Sequence, residues 1–234
     1  MASNRQLIEK YKDFDSVIKT YYQAKDHNGK LVNIDGVVNP LKLDFRQQCS
    51  VADDQGSTSE CAAYSICNWI EALIWKNTGK LVDLNPDQVY AGAKQIDGDV
   101  DGDGTYLECA IKSAFKLGGF PNVPKLKIGF IYNEGQATTI ERLKFLFHKY
   151  EFIHMGFSIT EGWLNCDASN PYVKHKGYPL GGHAVLGCGY DQEGVYIQNS
   201  WGKSWGAKSF AVVKWDAFVE EFMYGCFVEG VFNE

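Results

Sequence analysis

Gln55-Gly56-Ser57-Thr58-Ser59-Glu60-Cys61-Ala62-Ala63-Tyr64-Ser65 is the stretch on which the reading of this chain turns. A Gly/Ser/Thr turn leads into a helix, which Ile66, Trp69, Ile70, Leu73 and Ile74 continue with one-sided apolar spacing. The pattern predicts a long, largely buried helix with Cys61 in its first turn. Unpaired N–H groups and roughly half a positive charge gather at a helix start. A thiolate is favoured there, and its pKa falls below the ordinary value of about 8.5. A lone cysteine on an apolar helix is usually a buried thiol, but this one has companions. Downstream, Gly182-His183-Ala184-Val185 offers an imidazole, and Asn199-Ser200-Trp201-Gly202 offers an amide to orient it and an indole to cover that bond. Gln55 brings a second amide toward a developing oxyanion, beside the Cys61 N–H. Nucleophile, base, orienter and oxyanion donor are the minimal set for acyl transfer through a thiolate.

Outward from that helix, the same periodicity predicts shorter helices over Pro86–Ile96, Tyr106–Leu117 (stopped by Gly118-Gly119) and Thr138–Tyr150. Beyond residue 150 the period changes. Phe152–Ile159, Ala184–Tyr190, Val195–Asn199 and Phe210–Lys214 read as strands between glycine-containing turns. A helical first half and a β-rich second half predict an α+β fold of two unlike layers. Upstream, Ser3 and Gln6 resemble a capping box, starting a helix through Leu7, Tyr11 and Phe14. Residues 21–34, centred on Asn28-Gly29, read as a hairpin or a turn-rich arm. The expected organisation is an N-terminal extension over 1–43, a helical lobe over 44–128 and a β-rich lobe over 129–234. The extension is too short for its own core.

Composition narrows the function. A chain of 234 residues, 45% hydrophobic, buries a real core. A net charge of −6 argues against a nucleic-acid or acidic-membrane partner, and no stretch of about 18 apolar residues predicts a membrane span. The first residues, Met1-Ala2-Ser3-Asn4-Arg5-Gln6, carry no apolar signal core. The expected location is therefore the cytoplasm or another reducing compartment, with specialised export left open. Seven cysteines leave at least one free thiol, and most are read as reduced. The expected molecule is a monomer acting on a peptide or protein.

The blocks around Gln55 and Cys61, Gly182–Val185 and Asn199–Gly206, with Leu43-Asp44-Phe45-Arg46 upstream, resemble papain-like cysteine peptidases. The resemblance runs from about residue 43 to the C-terminus, in the same order and with similar spacing. It implies a two-lobed fold with the cysteine on a helical lobe and the histidine and asparagine on a β-barrel-like lobe. It also implies a thiol protease in which Cys61 is the nucleophile, His183 the general acid/base, Asn199 its orienter and Gln55 the oxyanion donor, with no cofactor needed. By the same resemblance Gly104-Thr105-Tyr106 forms the wall on which substrate backbone docks. Tyr106, Gly156 and Ala184 line the pocket for the substrate's second residue, beside Gly182 and Trp201.

The sequence departs from the family where Thr58 and Gly92 replace cysteines of its disulfides, and where Glu60 and Ala62 flank the nucleophile. A carboxylate about 8 Å from a thiolate costs roughly 0.5–2 kcal/mol. That is about 1.5 pKa units at most, less than an imidazolium and a helix start supply, so a thiolate–imidazolium pair is expected to survive. Two other readings stay open: a catalytically impaired binding module marked by Glu60, and an acyl transferase or isopeptidase. The extension over 1–43 is read either as an autoinhibitory propeptide lying on the cleft or as a structural arm.

Residues 97–108, Asp-Gly-Asp-Val-Asp-Gly-Asp-Gly-Thr-Tyr-Leu-Glu, match a twelve-residue calcium loop in part. Asp97, Asp99, Asp101, Asp103 and Glu108 are its candidate ligands. Against it, Gly104 stands where an apolar residue is usual and no second loop is present, so an Asp/Gly surface turn is the other reading. Calcium there would order the wall at Gly104-Thr105.

Overall fold

The computed structural model describes residues 39–50, 53–79, 81–117, 125–134 and 136–232. The helix and hairpin predicted within the first 38 residues lie outside them. Strand β1 (Leu43–Asp44) and a short 3-10 turn (Arg46–Gln48) lead to helix α1 (Cys61–Thr78). Helices α2 (Pro86–Asp97) and α3 (Leu107–Leu117) complete a helical layer. Strand β2 (Lys125–Tyr132), helix α4 (Gln136–Tyr150), β3 (Ile153–Ile159), a single turn α5 (Glu161–Leu164) and β4 (Tyr172–Val173) follow. The chain closes with β5 (Gly181–Tyr190), β6 (Gly194–Gln198), β7 (Phe210–Lys214), α6 (Trp215–Glu221) and β8 (Phe222–Phe232). None of the described helices is long and apolar enough to cross a membrane.

Local chemistry accounts for the helix ends. Asn85 accepts from Gln88 N with Pro86 in the first turn, which starts α2. Gly79 (φ 66°) and Gly98 (φ 78°) end α1 and α2 in the left-handed conformation. Helix α1 buries Ala62, Ala63, Ile66, Cys67, Trp69, Ile70 and Ala72, apolar around most of its circumference, as a central helix must be.

The eight strands form one sheet in the order β2-β8-β3-β5-β6-β7-β4, with β1 added to β5. The sheet serves two cores. Ala184, Leu186 and Cys188 of β5 pack toward the helical layer, together with Tyr196 and Cys226. Val185 and Tyr190 of the same strand face Phe147, Met155, Phe157 and Phe218 on the other side. Alternation with both faces apolar makes β5 a continuous apolar run. Gly189 (φ 128°) lets β1 approach, since a Cβ there would lie 2.2 Å from Leu43 O.

The sequence reading did not place β2, β8 or α6. Strands β2 and β8 pair antiparallel from Lys125↔Phe232 to Tyr132↔Tyr224, with a shift between Lys127 and Ile128.

Candidate active site

Two crossings bring the blocks together. Gln55 N donates to Ser200 O at 2.9 Å and Gly202 N to Asp53 O at 3.3 Å, with a bridge between Asp54 and Trp201. The segment leading into α1 is thereby laid along the end of β6. Gly202 (φ 74°) is needed there, because a Cβ would meet Asp54 Oδ2 at 2.7 Å. The Gln55 side chain is buried, its Oε1 accepting from Ser200 Oγ at 2.6 Å and its Nε2 donating to Thr58 O at 2.7 Å. An amide nitrogen carries two hydrogens, so one remains for an oxyanion.

His183 and Asn199 lie on the neighbouring strands β5 and β6 or at their end, and both are buried. His183 Nε2 is 2.7 Å from Asn199 Oδ1. Asn199 Oδ1 also accepts from Ser200 N at 2.8 Å, which fixes the side-chain oxygen, and the backbone Asn199 N donates to Ser209 O at 2.9 Å, which fixes the residue's place at the end of β6. An amide oxygen only accepts, so the ring proton sits on Nε2 and Nδ1 is the basic nitrogen.

Indoles enclose this pair. The Trp201 ring lies 4.6 Å from the imidazole, tilted by 30°, and Trp163 meets it edge-on at 6.0 Å. Trp205 packs against both indoles, and its Nε1 donates to Trp163 O at 2.8 Å. Trp163 and Glu221 escaped the sequence reading. Trp163 Nε1 donates to Glu221 Oε2 at 2.6 Å, and Thr160 Oγ1 donates to Glu221 Oε1 at 2.7 Å. His175 Nδ1 lies 2.9 Å from the same oxygen. These contacts span 46 to 61 residues of chain, which local patterns do not encode.

Cys61 opens α1 beside β5. Burial pushes its thiol pKa up, while the backbone N–H groups of Ala184, Ala62 and Cys61 itself pull the other way. The helix start alone therefore does not lower this pKa, which corrects the sequence expectation for the thiol taken by itself. Burial also pulls His183 down to about 4, against the opposing bond to Asn199. Neither group charges alone. When a proton passes from thiol to imidazole both charges appear together, and opposite unit charges in general attract by about 4 kcal/mol at a separation of ~4 Å and an effective dielectric of ~20.

Glu60 has its pKa raised, by burial first and then by the charge and hydrogen bond of Asp87.

The proposed substrate wall adjoins the nucleophile's turn: Ser59 Oγ donates to Asp103 Oδ1 at 3.1 Å. Gly156 is paired with Ala184. A Cβ on Gly156 would touch Leu107 Cδ1 and Tyr224 Cε1, both at 3.6 Å. Leu107 thus borders Gly156, whereas Tyr106 stands 63% exposed. Gly182 is exposed and Ala184 buried on the same strand.

The acidic loop is not arranged as the calcium expectation requires. Among the described residues no group of three or more His, Cys, Asp or Glu could hold a metal ion. Asp97 instead accepts from Thr105 Oγ1 and from Asp99 N, and Asp103 is turned toward Ser59.

No protein-family model matches the chain. It is 27% identical to caricain from Carica papaya, over 87% of this chain and 63% of that one. It is 26% identical to mouse (Mus musculus) cathepsin K, over 74% of this chain and 59% of that one. The chain thus spans about three fifths of the length of these curated relatives. Among solved structures it superimposes on xylellain, a cysteine protease from Xylella fastidiosa, with a TM-score of 0.67 at 19% identity. That match covers 82% of this chain and 87% of xylellain.

Proposed function

We propose, for a chain that has the fold and curated relatives of the papain-like cysteine peptidases, that it hydrolyses peptide bonds through an acyl-enzyme on Cys61. The observation that carries the reading is the 2.7 Å bond from His183 Nε2 to Asn199 Oδ1 beneath Trp201, which leaves the other ring nitrogen as the base. Nδ1 takes the Cys61 proton as sulfur attacks the substrate carbonyl carbon. The oxyanion is met by the Cys61 N–H and the second hydrogen of Gln55 Nε2, a type of donor worth about 2.7–4 kcal/mol in the transition state. His183 then gives its proton to the departing amine and, on the second pass, draws one from the attacking water. Asn199 keeps the imidazole in one tautomer and in one plane throughout.

Every step uses side chains of this chain, so the chemistry needs no cofactor. The binding-module alternative rested on Glu60, whose carboxyl is hydrogen-bonded to Asp87 and raised in pKa. A reducing compartment suits the chemistry, which needs Cys61 as a thiol. The test is intact-mass analysis after treatment with a peptidyl epoxide, followed by peptide mapping. A single adduct on Cys61 supports the reading; labelling spread over several cysteines, or none at Cys61, refutes it.

A further inference from the structure

The loop after α2 closes on a buried ammonium. Lys94, in the last turn of α2, has a side chain only 5% exposed. Its Nζ donates to Gly104 O at 3.0 Å and lies 3.4 Å from Asp97 Oδ2 and 3.7 Å from Asp99 Oδ2. Asp97, 2% exposed, carries the connection onward by accepting from Thr105 Oγ1 at 2.6 Å. Tyr90, one turn earlier on α2, directs its hydroxyl to Gly104 O at 3.4 Å. Gly104 itself takes φ 73°, a conformation that leaves its carbonyl direction to be set by partners.

The geometry assigns Lys94 to be the resident cation of this loop, a positioning residue that fixes the Gly104-Thr105 backbone against which a peptide substrate docks. The inference deepens the peptidase reading and rests on it. Two ties converge on the wall: the ammonium holds Gly104 through its carbonyl, and Asp97, neutralised by the same ammonium, holds Thr105 through its hydroxyl. A divalent ion placed among these carboxylates would face the ammonium at hydrogen-bond range, so it enters only if Lys94 leaves. From its charge the loop looks like a metal site; it is satisfied from within.

Two measurements test this. Thermal unfolding of the unmodified chain with millimolar calcium or with EDTA is expected to give the same Tm. A rise with calcium together with a fall in EDTA would overturn the assignment, because the loop would then hold a metal. On a fluorogenic peptide extending several residues before the scissile bond, Lys94→Met is expected to raise KM about ten-fold, the loss of one hydrogen bond to a charged group. Its kcat should stay within about three-fold, and Lys94→Arg should recover most of the affinity. An equal fall of kcat with unchanged KM, or no effect, would overturn it. If Lys94→Met fails to fold, Lys94→Met/Asp97→Asn removes both members of the buried pair, and the same KM rise is expected. Should the unmodified chain show no turnover, the peptidase reading fails, while the calcium comparison still judges Lys94.

Discussion

Lowering the pH should destabilise this protein through one imidazole remote from the catalytic histidine. His154 of β3 is wholly buried, its Nδ1 2.9 Å from Ser65 Oγ of α1 and its Nε2 without a hydrogen-bond partner. Burial pushes its pKa from 6.5 to about 3. The unfolded chain takes up a proton below 6.5 that the folded one refuses. Its contribution is therefore fully present above pH 6.5, drains away as pH falls toward 3, and stays lost below. At pH 5 the folded ring is still neutral, so the loss depends on the unfolded value alone: about 1.5 pH units at ~1.36 kcal/mol each, or about 2 kcal/mol. Set against a typical total of about 5–15 kcal/mol, that is a large share. Glu71 runs the other way. Burial pushes its pKa up to about 7, so the folded state binds the extra proton between pH 7 and 4.5 and gains stability on acidification. A pH profile of one protein mixes these two with the other shifted groups, among them His183, whose pKa burial also lowers to about 4, but a difference between variants isolates His154. Urea unfolding at pH 7.5 and pH 5, in a Cys61→Ala background that prevents self-digestion, should show a smaller acid loss in His154→Gln, by about 2 kcal/mol. Parallel profiles for the two proteins would refute the reasoning.

Three other outcomes are expected. Asn199→Ala strands both His183 Nε2 and Ser200 N and should cut kcat/KM by roughly 10- to 100-fold, a cost of about 1–3 kcal/mol; unimpaired steady-state hydrolysis would remove Asn199 from the mechanism. Trp163→Phe withdraws a donor from the buried Glu221 carboxylate and should cost about 1–3 kcal/mol in urea unfolding, whereas a variant as stable as its parent would show that Thr160 and His175 suffice. Glu71→Gln ends the penalty of holding a carboxylate with a pKa of about 7, so it should gain about 2.5 kcal/mol over its parent at pH 8.5 relative to pH 5. A constant difference across that range would place the raised ionisation elsewhere.

Much of the fold was legible because its signals are local. The apolar spacing after Cys61 predicted α1, Pro86 and Gly98 bound α2 closely, and the switch to period-two patterns marked the strands. Strands β2 and β8 were not legible: each finds its partner about a hundred residues away, which no local pattern encodes. In the site, Gln55, His183 and Asn199 stood out because their blocks are short and ordered. Trp163 and Glu221 did not, since nothing near either residue in sequence announces the other. The partner of the acidic loop was not legible for an instructive reason. A twelve-residue pattern counts only what lies inside its window, and the cation of this loop, Lys94, sits one turn upstream on α2.

The sheet's service to two cores carries a consequence for how the molecule can be handled. Strand β5, which bears His183, gives Leu186 and Cys188 to the helices and Val185 and Tyr190 to the opposite side. Neither layer owns it. Halves of this chain produced separately, divided between α3 and β2, would each expose an apolar face and should aggregate rather than fold. On the proposed peptidase reading, engineering of preference belongs at exposed positions such as Tyr106, where a side chain can be exchanged without disturbing the strand beneath.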